Sequence, residues 1–244
     1  MKVLISGKGG SGKTVISALL SKALAKRGYS VLVIDGDESN LNLHRFLGLS
    51  SPKEFKEYLG GRKKIFDKLK DINITRINEI PNEFISEKDN IKLMCIGKIH
   101  EFEEGCACPM GALLREFLIN LNLNDNEFVI IDTEAGIEHF GRGVENGCDL
   151  ILFILDPTMD SVLLSKRVEK MKINRPVYFI INKVLDEESK SIVLSKVSKE
   201  KVLAIIPFMD SIFKATLMGE ELSLDVPEIN KIADNLIEFK KTCV

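Results

Sequence analysis

The chain has 244 residues, 45% hydrophobic and 29% charged, which suits one large α/β domain with a substantial core and excludes disorder, collagen-like repeats and coiled-coil rods as the main state. Thirty-four Lys and Arg against 36 Asp and Glu give a formal charge of -2, without the positive excess of a nucleic-acid binder that works through a broad basic face. Five cysteines, an odd number, and an N-terminus unlike a signal peptide predict a cytoplasmic protein with reduced thiols, and no apolar run approaches the roughly 20 residues that span a bilayer.

Residues 2–6 carry the aliphatic run Val3-Leu4-Ile5 and predict a first strand. A glycine-rich stretch from Gly7 to Thr14 follows, then a helical pattern to Arg27 that Gly28 ends. A second strand over 30–34 completes a βαβ unit. Residues 50–90, with Pro52, Gly60-Gly61, Arg62-Lys63-Lys64 and Pro81, read as short helices and loops. A strand is predicted at 91–96, a charged loop at 98–105 and a helix from Pro109 to about residue 121. Strands at 127–131, 150–155, 177–181 and 202–206 alternate with helices at 158–172 and 186–197, and the remainder is helical. In the tail, Ile229, Ile232, Leu236 and Phe239 are spaced for one helix face. Glu228, Asp234 and Glu238 offset Lys231, Lys240 and Lys241, so a packed helix is expected rather than a membrane-binding one.

The strands are continuous apolar runs, as expected when helices cover both faces. The predicted architecture is a single α/β domain over residues 1–244, with one mostly parallel β-sheet flanked by helices on both faces. In such a sheet the chemistry sits at the carboxyl ends of the strands, where Asp35, Asp132, Asp156, Asn182 and Pro207 fall.

Gly7 to Thr14 fits G-x-x-x-x-G-K-[ST] between a predicted strand and a predicted helix, the pattern of a P-loop NTPase. Gly9, Gly10, Ser11 and Gly12 let successive N–H groups face a phosphate chain, and the helix N-terminus adds partial positive charge. Lys13 reaches the β- and γ-phosphates of ATP or ADP, and Thr14 offers a hydroxyl to Mg²⁺. Lys8 is surplus to that local task. One use for it is to supply charge to a nucleotide in a facing subunit.

An ATPase also needs a carboxylate near Mg²⁺ and a group that orients the attacking water. Asp132 is expected in the Mg²⁺ network, with Asp35 supporting the metal or the loop. Asp37 is expected to orient water; as a residue type it also suits a cap or turn. Gly136, Gly141 and Gly143 leave the loop after Asp132 free to change path when the γ-phosphate leaves. Asn182, Lys183, Pro207, Phe208, Met209 and Asp210 fall at strand ends where a base would be bracketed.

Cys106 and Cys108, two apart, cannot share a helix face, so they are expected just before the helix that Pro109 opens. A helix N-terminus there favours thiolate. A four-coordinate thiolate site needs four sulfurs, and a two-fold axis supplies them from two chains. Cys95 and Cys148 fit buried small hydrophobes. His100 and His139 are conceivable outer ligands.

Lys8 and Lys13, with Asp35-Gly36-Asp37 and the 132–136 stretch Asp-Thr-Glu-Ala-Gly, resemble the deviant-Walker-A dimeric ATPases, which include the septum-site and partition ATPases and the nitrogenase iron protein. Residues 105–111 around the cysteine pair, together with Glu138-His139-Phe140-Gly141-Arg142-Gly143, resemble the CooC family of nickel-insertion ATPases for carbon monoxide dehydrogenase. The resemblance covers essentially the whole chain. It implies an ATP-hydrolysing homodimer in which Lys8 acts across the interface, Asp37 lies in the first switch and Asp132 in the second. It also implies that Cys106 and Cys108 hold Ni²⁺ or Zn²⁺ at the interface, for delivery to carbon monoxide dehydrogenase or to acetyl-CoA synthase. A reductase with a [4Fe-4S] cluster and a septum-site or partition regulatory ATPase are the competing readings.

Overall fold

The computed structural model describes residues 1–98 and 108–242, apart from the Glu138 side chain. The first βαβ unit forms as predicted. β1 (Lys2–Gly7) runs into the glycine loop, α1 (Lys13–Lys26) returns, and β2 (Ser30–Gly36) lies parallel to β1's neighbour. A single-turn helix, α2 (Leu43–Leu47), and a series of short turns that includes α3 (Ile65–Lys68) lead to β3 (Ser86–Lys88) and β4 (Ile91–Cys95). Next come α4 (Cys108–Asn120), β5 (Glu127–Thr133), the one-turn α5 (Glu138–Gly141) and β6 (Leu150–Leu155). The chain closes with α6 (Met159–Lys170), β7 (Val177–Val184), α7 (Glu187–Leu194), β8 (Val202–Pro207), α8 (Asp210–Met218) and α9 (Pro227–Thr242).

Among the described residues eight strands make one sheet, ordered β3-β4-β2-β5-β1-β6-β7-β8. All neighbours are parallel except β3, which pairs antiparallel with β4. That edge corrects the sequence reading, which left 86–88 in loops. Asp89 and Asn90, both at positive φ (51° and 63°), make the left-handed two-residue turn that folds β3 back. Ser-Glu-Lys carries no apolar signal, so pairing with β4 alone defines the strand.

Alternation along the central strands explains why they read as unbroken apolar runs. Leu4, Leu32, Ile34, Val129 and Ile131 pack toward Phe55, Leu113 and Phe117 on one face, while Val3, Ile5, Val31, Val33 and Ile130 pack toward Leu20, Leu24, Ile232 and Leu236 on the other. Both faces are dry, so both side-chain registers must be apolar.

Two boundaries differ in ways that matter to the site. β7 extends beyond residue 181 to Val184, through a register shift between Ile181 and Val184, so Asn182 and Lys183 lie within the strand at an irregularity. Beyond β8 the chain is not helical throughout: α8 stops at Gly219 (φ 67°) and a stretch without regular structure crosses to α9. α9 itself packs as its apolar spacing predicts. Ile229, Ile232, Ala233 and Leu236 are buried, Arg27 Nε donates to Asp234 Oδ1 at 2.6 Å, and Tyr178 stacks on Phe239 at 5.2 Å. Among the described residues no helix is long and apolar enough to cross a membrane.

Candidate nucleotide-binding site

The glycine loop wraps around one carbonyl. The oxygen of Lys8 accepts from Ser11 N (3.2 Å), Ser11 Oγ (2.8 Å) and Lys13 Nζ (3.3 Å). β7 braces the loop from outside: Asn182 Nδ2 donates to the Ser11 carbonyl at 2.8 Å and Lys183 Nζ to the Gly10 carbonyl at 2.7 Å. Lys183 reaches there from a left-handed backbone, φ 61°. Gly12 is fixed by the same contact, because it sits at φ 99° and a Cβ on it would lie 2.3 Å from Asn182 Nδ2. Asn182 thus commits one amide N–H to the loop, while its side chain still lines the cavity.

Lys13 is buried, and burial lowers its pKa while Asp132, Asp37 and Glu134 pull it back up. Asp132, at the end of β5, is fully buried, and its pKa is pushed up to about 7, first by burial and then by the neighbouring Asp35. Ser17 Oγ donates to Asp132 Oδ1 at 3.2 Å, and Asn40 Nδ2 donates to Thr14 Oγ1 at 2.6 Å and to Asp132 Oδ2 at 3.5 Å. Thr14 and Asp132 are therefore brought together. Asp35 is tied instead to Lys98 Nζ at 2.7 Å, and Lys98 also donates to the Asp37 carbonyl. The Asp35 pKa is up to about 6, because burial outweighs Lys98. The Asp37 carboxylate accepts from Ser39 N (2.9 Å) and Ser39 Oγ (2.7 Å), the turn geometry its residue type also suits, while still lining the cavity.

That cavity, about 510 Å³, runs from Gly9, Gly10, Gly12, Lys13 and Thr14 to an apolar end. Val15, Ile16, Leu19 and Phe46 form one wall; Ile206, Pro207, Phe208, Met209, Ile212 and Phe213 form the other. Pro207, Phe208 and Met209 line it, together with Asn182 and Lys183. Asp210 is not among the lining residues; it pairs with Lys214 at 2.6 Å on the exposed side of α8. Ser11 is likewise behind the lining, fully buried against Lys8. Asn40, Lys98 and the side chains of α1 and α8 were not singled out from sequence. A lone lysine just after the apolar run at 91–96 was the available signal for Lys98.

Lys8 turns away from its own loop. Its Nζ donates to Thr158 Oγ1 at 3.2 Å and lies 3.8 Å from Asp156 and 3.9 Å from Asp160. The segment after Asp132 is pinned at its start, where Gly136 N donates to the Gly7 carbonyl at 3.0 Å. Further on, Arg142 pairs with Glu134 and lies across Gly111 in the first turn of α4, where a Cβ would come within 2.6 Å of Arg142 Cδ. Cys108 opens α4 and is exposed; Cys106 and His100 lie outside the described residues. Cys95 and Cys148 are buried and their thiols are held up by burial, Cys95 at about 12, as small hydrophobes would be. Among the described residues no group of three or more His, Cys, Asp or Glu is arranged to hold a metal ion.

Residues 2–222 match the family of the CobQ/CobB/MinD/ParA nucleotide binding domain. The chain belongs to this family. Membership makes it an ATP-hydrolysing P-loop enzyme of the deviant-Walker-A group. It is 56% identical over 248 residues to an uncharacterized ATP-binding protein of Methanocaldococcus jannaschii, covering 97% of this chain and 99% of that one. It is 30% identical over 232 residues to the carbon monoxide dehydrogenase accessory protein CooC of Rhodospirillum rubrum, covering 90% and 88%. In fold it is similar to the septum site-determining protein MinD of Pyrococcus horikoshii, complexed with Mg-ADP, with a TM-score of 0.70 at 22% identity over 100% and 98% of the two chains.

Proposed function

We propose that the protein is a nucleotide-operated switch of the septum-site and partition kind. MgATP fills the cavity, two copies close across their glycine loops, and hydrolysis reopens them. The orientation of Lys8 carries this reading. Of two lysines in one loop, Lys13 is buried toward the phosphate side, while Lys8 reaches outward to the rim at Asp156, Thr158 and Asp160. A cation on the rim can serve a phosphate chain in a facing copy. Thr14 and Asp132 would hold Mg²⁺, whose charge would offset the crowding of Asp132 by Asp35 in a dry site and favour the ionised ligand. Bound there, Mg²⁺ would neutralise charge on the β- and γ-phosphates. The apolar end between α1 and α8 would take the base, and Asp37 would orient water after leaving Ser39.

The expected result is a dimer in MgAMP-PNP and a monomer in MgADP, measured by light scattering on a sizing column. Lys8→Gln should bind both nucleotides and fail to dimerise. A variant that dimerises like wild type would remove Lys8 from the interface.

A second reading, metal delivery, is favoured by the Cys106-x-Cys108 spacing together with the similarity to CooC. The cysteine pairs of two closed copies would make one thiolate site for Ni²⁺ or Zn²⁺, serving carbon monoxide dehydrogenase or acetyl-CoA synthase. About one metal per two chains, without sulfide, is then expected after anaerobic loading in MgATP. Cys106→Ala should lose it and keep nucleotide binding. Equal metal in mutant and wild type would leave the switch without this cargo.

A further inference from the structure

Asn40 occupies the place where the site calls for a cation. Its Nδ2 donates to Thr14 Oγ1 at 2.6 Å and to Asp132 Oδ2 at 3.5 Å, so one amide joins the two side chains suited to Mg²⁺. The other end of the amide is committed as well, because Oδ1 accepts from Asn42 N at 3.0 Å. A backbone N–H needs an acceptor and a carboxylate takes a donor, so the amide is held in one orientation. Thr14 and Asn40 line the cavity, whereas Asp132 is fully buried and does not. The amide therefore covers the carboxylate on the side from which a nucleotide and its metal arrive.

The amide and a cation exclude each other. Mg²⁺ approaches an oxygen ligand to about 2.1 Å, and an amide nitrogen donates but does not ligate. We propose that Asn40 is a placeholder for the cation: it keeps Thr14 and Asp132 paired in the empty site and must leave when Mg²⁺ enters with the phosphates. The inference rests on the nucleotide reading of the cavity.

Every way out is felt along the chain. Turning the amide over, or swinging it clear, gives up the Asn42 N–H; moving it with its turn intact shifts Asn42 itself. Asn42 is the residue from which α2 starts, and its carbonyl accepts from Phe46 N at 3.1 Å. Phe46 belongs to the apolar wall at the far end of the cavity. Entry of the metal thus reaches the segment after Asp35 and, through α2, the end that would take the base. ADP without metal leaves the amide in place.

The test is a pair of titrations of the full chain with a fluorescent ADP analogue, one in Mg²⁺ and one in EDTA, read by anisotropy. The ratio of the two affinities measures how strongly metal and nucleotide favour each other. Asn40→Ala removes the competitor. Its ratio should exceed that of wild type by about threefold to tenfold, as for one hydrogen bond that no longer has to be broken, while its affinity in EDTA stays within about twofold. Asn40→Ser keeps an oxygen for the Asn42 N–H but is too short to reach Thr14 and Asp132, and should behave in the same way. A structural role alone would move both affinities together. A ratio equal to wild type in both variants, or lowered as for the loss of a metal ligand, would overturn the proposal. If wild type binds ADP normally while these fail, only the role of Asn40 falls. If it binds ADP in neither buffer, the nucleotide reading falls with it.

Discussion

Asp132→Asn is expected to slow ATP turnover at least about 100-fold and, without nucleotide, to melt higher than wild type at pH 8. The two effects share one cause. Asp132 is fully buried, and its pKa of about 7 lies well above the ordinary carboxylate value of about 4. A folded-state pKa raised in this way means the folded protein holds the proton more tightly than the unfolded chain. Its contribution to stability is complete below pH about 4 and disappears as pH rises through about 7. Asp35, raised to about 6, adds a loss of the same sign. At pH 8 both are ionised in a dry site. Asparagine keeps the shape without the charge. A rise of about three pKa units, each worth about 1.4 kcal/mol, sets a ceiling of about 4 kcal/mol; asparagine's own cost of burial brings the expected gain to the order of 2 kcal/mol, or about 4–8 °C for a chain of this size. At pH 4 the advantage should vanish. Calorimetry at the two pH values decides the matter: a variant no more stable than wild type at pH 8 would mean that Asp132 is not strained by burial.

Lys98→Met is expected to cost the fold about 3–5 kcal/mol, because it leaves Asp35 charged and buried without a partner. Lys98 and Asp35 expose only 8% and 7% of their side chains and meet at 2.7 Å. The lysine backbone is itself held, since Lys98 N donates to Glu54 Oε2 at 3.1 Å and Lys56 Nζ donates to the Lys98 carbonyl at 3.0 Å. The pair thus links the carboxyl end of β2 to the segment that leaves β4. Urea unfolding measures the loss. Adding Asp35→Asn to Lys98→Met should restore most of it, since no charge then remains uncompensated. A cost below about 1 kcal/mol for Lys98→Met, or no recovery in the double variant, would place the stabilisation elsewhere.

What could be read in advance follows from how each feature is built. The phosphate loop was legible because its chemistry needs consecutive residues, with glycines at fixed offsets before Lys13 and Thr14. The central strands were legible because burial on both faces removes polar residues from them. The apolar wall of the cavity was not, since Ile16, Leu19, Phe46, Ile212 and Phe213 come from separate elements and look like ordinary core or surface residues. Asn182 was expected at the base because strand ends usually face ligand; its further role as a brace on Ser11 was hidden, since it depends on the irregularity at 181–184. Lys98 belongs to the same class: a buried lysine becomes visible only when the carboxylate it meets, 63 positions earlier in sequence, is adjacent in space.

The two props that β7 sets under the glycine loop have a thermodynamic consequence. Asn182 and Lys183 hold the carbonyls of Ser11 and Gly10 before any ligand arrives. Those oxygens therefore face away from the phosphates, and the amide hydrogens need no reordering to receive them. A loop already frozen in its receiving shape loses little conformational entropy on binding. The free energy of phosphate recognition is then left to drive the moving parts, the segments after Asp35 and Asp132, rather than to organise the cradle itself.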